Sequence, residues 1–203
     1  ITKALKAEGK ANGTINRITS SLRTLFTELK QLGHKLYIPD YKHQKESQGR
    51  PDFYTEKEIA NLLRIAARRD DHMLLHDSIL FAYKTGCRQA EQLGLCLEHV
   101  DLGNKQFIFL DTKNGDDHYL PIHKDLYPVL ERRLNLAIDD RVFPWDNADQ
   151  LRTGLRQVQT VAGMQSGKLW HTIRHSTATH LVSRGVELRK IMGVLNHRNV
   201  NTT

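Results

Sequence analysis

One stretch of the chain carries strand chemistry. In "QFIFLDTKNGDDHYLPI" (residues 106–122) two β-rich runs flank Asn114-Gly115, a pair suited to the positive φ angles of a tight turn. That combination is a strong hairpin signal. Almost everything around it repeats at helical spacing. Residues 14–31 carry Ile15, Ile18, Leu22, Leu25, Phe26 and Leu29 on one stripe, with Gly33 as a stop. Thr55 followed by Glu58 forms a capping box ahead of the stripe in "YTEKEIANLLRIA". "MLLHDSILFAYKTG" reads as a buried helix ended by Gly86, and helical patterns continue at about 124–135, 148–162, 172–184 and 187–195. No internal repeat or low-complexity tract interrupts them. The expected fold class is mainly α with a small antiparallel β-sheet (α+β).

The segment "YIPDYKHQKESQGRPDFY" lacks helical period and contains Pro39 and Pro51, so it reads as a linker. The expected organisation is a helical domain over 1–45, a linker over 46–53 and a second domain over 54–203. Charge supports that division. Residues 1–50 hold 10 Lys/Arg against 4 Asp/Glu (+6), and the remainder holds 20 against 19 (+1), together the +7 of the whole chain. A basic arm beside a nearly neutral body suits a polyanion, and Arg17, Arg23 and Lys30 lie off the apolar stripe, where they could meet one. A solvated helical surface is the plainer reading of the same charges.

No apolar run approaches membrane-spanning length, and no leader-like segment opens the sequence. It starts at Ile1 rather than a methionine, as expected of a piece of a longer protein. Two cysteines, Cys87 and Cys96, are too few for a disulfide framework or a cysteine-based zinc site, so a cytoplasmic setting is expected.

"HTIRHSTATH" (residues 171–180) concentrates ionisable groups. On a helix, His171, Arg174, His175, Ala178, Leu181 and Val182 fall on one stripe, expected to face inward. A buried guanidinium needs a carboxylate, carbonyls or a bound anion. A structural ion pair with hydrogen-bonded core histidines satisfies that need as well as a ligand site does. The helical His pair could suggest a metal. However, Thr172 stands where a His-Glu-x-x-His hydrolase needs glutamate, Arg174 would set positive charge beside the cation, and no third ligand is near; no metal is expected. Three other places suit a phosphate. Arg88 in "YKTGCRQAEQLGL" follows a Gly-ended helix, with Glu91 placed to orient it. Lys113 sits at a strand–turn junction, and His197 follows the apolar helix of "KIMGVLNHRNVNTT".

In this order, "TGCRQAEQLGL", the hairpin lysine before "LPI", and "HTIRHSTATHLVSRGVELRKIMGVLNHRNVNTT" resemble the tyrosine recombinase, or phage integrase, family over roughly 52–203. The family pattern is Thr-Gly-x-Arg-x-x-Glu, a hairpin Lys, His-x-x-Arg-His and Leu-Gly-His. Asn196 stands where glycine is usual and is expected to adjust the turn without removing His197. The resemblance makes the N-terminal portion the end of a core-binding domain. It implies site-specific DNA recombination through a 3′-phosphotyrosine, without a cofactor. Arg88 and Arg174 would bind the phosphate, Lys113 would act as acid, His171 would assist proton transfer, and His197 would donate to an oxygen. Glu91 and His175 would support them. By family spacing the nucleophilic tyrosine falls past Thr203, and none of Tyr37, Tyr41, Tyr54, Tyr83, Tyr119 and Tyr127 matches it. The implied partners are double-stranded DNA, copies of the same chain as a tetramer on DNA, and accessory DNA-bending proteins. The implied setting is the cytoplasm of a bacterium, whether host- or phage-encoded. A non-catalytic DNA-binding protein of the same fold and a type IB topoisomerase are the alternative functions.

Overall fold

The computed structural model describes residues 1–46, 52–69, 73–110, 112, 115–164 and 168–196. It divides into two compact units, Ile1–Arg50 and Pro51–Thr203.

In the first unit, α1 (Thr2–Ala7) precedes α2 (Asn12–Gln31). The second helix starts two residues before the expected 14, because Asn12-Gly13 lies within its first turn rather than in a loop. The returning chain is strapped to this end. Asn16 exchanges hydrogen bonds with the Gln44 backbone (2.9 and 2.8 Å), and Asn12 donates to the Lys45 carbonyl at 2.6 Å. Only Ile15 of the apolar stripe is fully buried, Leu25 is 48% exposed, and α1 has no buried residue. Arg17, Arg23 and Lys30 are exposed.

The second unit holds seven helices among the described residues: α3 (Glu56–Ala66), α4 (Leu74–Thr85), α5 (Gln89–Leu93), α6 (Tyr127–Asn135), α7 (Ala148–Val161), α8 (Trp170–Ser183) and α9 (Leu188–Leu195). The capping box opens α3 as its sequence requires: the Glu58 carboxylate accepts from the Thr55 amide at 2.7 Å, and the Thr55 hydroxyl accepts from the Glu58 amide at 3.2 Å. Strands β1 (Val100–Asp101), β2 (Gln106–Phe109) and β3 (His118–Pro121) form an antiparallel sheet in chain order. β1 has no sequence signal of its own, being two residues long and half-buried. The hairpin is wider than a two-residue turn. Residues 110–117 separate β2 from β3, and within them the Gly115 amide closes a turn on the Thr112 carbonyl at 2.6 Å, with φ +76° at the glycine.

α4 joins two cores. Leu75, Ile79 and Ala82 pack with residues of α3, α7 and α8, including Leu62, Leu155 and Ile173. Phe81 points the other way, its ring centroid 5.3 Å from Phe107 of the sheet and 5.0 Å from Phe143. A smaller cluster of Ala178, Ile191 and Leu195 seats α9 against α8. Thus α4, α8, α9 and the sheet are fixed by separate apolar contacts before any polar side chain is placed.

The stripe expected on α8 is corrected. Arg174 and Ala178 are buried, but His171 is exposed, His175 is half-buried and Val182 is 53% exposed. The buried arc instead includes Thr172, Ile173, Ser176, Thr177 and His180. Ser176 donates to the Thr172 carbonyl at 2.7 Å, and Thr177 donates to the Tyr83 carbonyl of α4 at 2.8 Å and to the Ile173 carbonyl of its own helix at 3.1 Å. A Ser or Thr satisfied in this way can be buried, so polarity does not mark the solvent face here.

Candidate active site

α4 ends at Gly86, whose φ of +62° is the left-handed conformation that glycine adopts without a Cβ penalty. A Cβ there would collide with Leu195 Cδ2 of α9, so that side chain would have to shift. The chain then passes through buried Cys87 to Arg88, the residue capping α5. Burial pushes the Cys87 thiol up to about 12, so it stays protonated and unreactive.

Arg88 is held by Glu91. One carboxylate oxygen accepts from the Arg88 amide at 2.7 Å, and the other accepts from Nη1 at 2.6 Å. Nη2 reaches across to the Asn196 carbonyl at 3.3 Å. Arg174, from the buried face of α8, donates Nη1 to the Gly86 carbonyl at 2.6 Å and Nη2 to the Leu195 carbonyl. The two guanidiniums therefore grip successive carbonyls at the end of α9. Burial first, and then the charge of Arg88, bring Arg174 down to about 10, which leaves it cationic at neutral pH. Of the needs foreseen for a buried Arg174, the described residues supply carbonyls rather than a carboxylate partner.

His171 and His175 meet edge to face, with ring centroids 4.7 Å apart. Both imidazoles are held below their usual range. For His171 the causes are partial burial, then His175, Arg174 and Arg88; for His175 they are partial burial and then Arg174. Neutral imidazoles beside two guanidiniums can accept protons, whereas the arginines cannot. Among the described residues, no group of three His, Cys, Asp or Glu side chains is placed to hold a metal ion.

Lys113 and His197 lie outside the described residues. Their neighbours are within them. Asn196, before His197, takes the left-handed conformation itself (φ +49°), which asparagine tolerates better than most residues. Its amide donates to the hydroxyl of Thr112, the residue before Lys113, at 2.9 Å. Thr112 and the Gly86 carbonyl have roles in this arrangement that sequence reasoning missed, as does His118. That imidazole opens β3 and bonds the Gly193 carbonyl of α9 at 2.9 Å. Strand alternation offered a signal, since His118 falls in phase with buried Leu120 and Ile122.

Residues 52–203 match the family model described as "Phage integrase family". The chain belongs to that family. It is a tyrosine recombinase, of a class that cleaves and rejoins DNA strands in site-specific recombination. A tyrosine recombinase of Thermosipho africanus is 26% identical over 213 residues, covering 98% of this chain and 72% of the relative. The tyrosine recombinase XerA of Pyrococcus horikoshii is 28% identical over 207 residues, covering 98% and 70%. Among solved structures, a lambda integrase dimer bound to a COC′ core site superposes with a TM-score of 0.81 at 16% identity, covering all of this chain and 78% of the other. XerH recombinase bound to difH in a pre-cleavage complex gives 0.77 at 18% identity, covering 98% and 63%. The fold is that of the tyrosine recombinase catalytic domain, mostly helical with a three-stranded antiparallel sheet.

Proposed function

We propose that Arg88 and Arg174 clamp the scissile phosphate of double-stranded DNA and that strand cleavage passes through a 3′-phosphotyrosine. The observation that carries this reading is the convergence of both guanidiniums on the Leu195 and Asn196 carbonyls, beside His171. Phosphoryl transfer gathers negative charge on the equatorial oxygens. Two fixed guanidinium forks meet that charge bidentately and need no metal.

The nucleophile is a tyrosine supplied from beyond Thr203. Its oxygen forms the bond to phosphorus as the bond to the 5′-oxygen breaks. Lys113 gives the departing oxygen its proton, neutral His171 takes the tyrosine's proton, and His197 donates to a non-bridging oxygen. Glu91 holds Arg88, and His175 braces His171. The phosphotyrosine retains the energy of the broken linkage, so a different 5′-hydroxyl can reverse the step without ATP. Residues 1–45 act as part of a core-binding domain, with Arg17, Arg23 and Lys30 on the DNA backbone. Copies of the chain assemble on DNA, as lambda integrase does in its tetramer on a Holliday junction. The tetramer and accessory DNA-bending proteins complete the reading, as does a site of action on bacterial or phage DNA in the cytoplasm.

A suicide substrate, nicked so that the released 5′ fragment diffuses away, tests this in a form of the protein extending past Thr203. The expected result is a covalent protein–DNA adduct through tyrosine. No adduct, with DNA binding intact, would leave the protein a DNA-binding relative rather than a recombinase.

A further inference from the structure

We infer that His118 is a positioning residue that latches the β2–β3 hairpin onto the end of α9 and so supports the role of Lys113 as acid. The inference rests on the assignment of Lys113 as general acid made above. Lys113 lies in the loop of residues 110–117, and that loop is tied to α9 on both sides. Before Lys113, the Thr112 hydroxyl accepts from the Asn196 amide at 2.9 Å. After it, the His118 ring meets the Gly193 carbonyl at 2.9 Å. Gly193 and Asn196 belong to the same terminal turn, closed by the backbone N–H of Asn196 donating to the Gly193 carbonyl at 3.2 Å. This is the turn whose Leu195 and Asn196 carbonyls take the two arginines. The loop and the phosphate clamp are thus referred to one piece of backbone.

The chemistry at His118 selects a neutral ring. A carbonyl only accepts, so Nε2 carries the hydrogen and Nδ1 is left with a lone pair. Nδ1 is buried and meets no hydrogen-bond partner among the described residues. A second proton there would place a charged N–H near Arg88 and Arg174 without an acceptor among the described residues, against the favourable pull of the Gly193 bond and Glu91. Burial, the largest influence, also disfavours the charged form. The ring leans on Phe109, its register partner in β2, with centroids 6.4 Å apart, so the latch is packed as well as bonded. A shift of about 1 Å in an acid can cost on the order of 100-fold in rate.

The test compares His118→Phe, which keeps the ring and loses the donor, with His118→Gln, which restores an N–H near Nε2. Cleavage by the extended protein is followed in single turnovers, on ordinary DNA and on DNA with sulfur at the 5′ bridging position. Sulfur leaves without a proton. H118F should cut ordinary DNA about 10–100-fold more slowly while binding it normally. It should approach wild-type rates on the sulfur substrate, and H118Q should recover most of the loss. Normal cleavage by H118F would overturn the latch. So would a defect that sulfur does not relieve in H118F but does relieve in K113A. K113A unrelieved by sulfur would overturn the acid assignment itself, and with it this role for His118. If H118F folds poorly, Thr112→Val cuts the other tie and should show the same relief; normal cleavage by T112V would refute the latch equally.

Discussion

Arg174 is buried with two backbone carbonyls as partners and a second guanidinium close by, an arrangement that is favourable once an anion arrives. Arg174→Ala in the extended protein should lower cleavage by about 10²–10³-fold or more, the usual cost of losing a preorganised transition-state donor. Non-specific DNA binding should be largely kept. Adduct yield against a filter-binding isotherm measures both, and cleavage at a normal rate would remove Arg174 from the chemistry. His171 gives a second prediction at this scale. Its pKa is lowered, so the neutral, proton-accepting form persists below the ordinary histidine value of about 6.5. Cleavage rate should be flat from neutral pH down to that value and fall only as the solution becomes more acidic, through the lowered pKa. A single-turnover pH profile tests this, and a decline beginning above pH 7 would contradict it.

At the scale of elements, Gly86 serves α4, α8 and α9 together. It ends the first in a left-handed turn, offers its carbonyl to Arg174 on the second, and leaves room for Leu195 of the third. Gly86→Ala meets both a strained φ and a clash with the Leu195 side chain, so it should cost more than about 1 kcal/mol. A fall in Tm of at least about 2–4 °C would register it, together with loss of cleavage. An unchanged Tm would mean that α9 is free to move away. Much of this framework was legible in the sequence. Long helices announced themselves by period and cap, as α3 did with Thr55 and Glu58, and the hairpin by its turn residues. The motif order also brought Arg88, Glu91 and Arg174 to notice. Other features were not legible because no local pattern encodes them. The α8 face was misread because Ser176 and Thr177 satisfy their hydroxyls on backbone carbonyls, of α8 for both and of α4 for Thr177. The ties of Thr112 to Asn196 and His118 to Gly193 join positions 84 and 75 residues apart, and only the packed chain brings them together.

For the whole molecule, charge is distributed unevenly: +6 of the net +7 lies in residues 1–50. If the exposed Arg17, Arg23 and Lys30 each neutralise a phosphate, replacing all three with glutamine should flatten the dependence of log Kd on log salt by about 0.9 for each phosphate no longer neutralised. Affinity measured across a salt series decides it, and an unchanged slope would take this face of α2 off the DNA. The end of α9 has a consequence of a mechanical kind. One turn of helix accepts from both arginines and from the β3 imidazole, and its Asn196 side chain also grips the Thr112 loop. A pull on that turn is felt by every one of them at the same moment. Displacing that turn would therefore loosen four contacts together rather than one at a time.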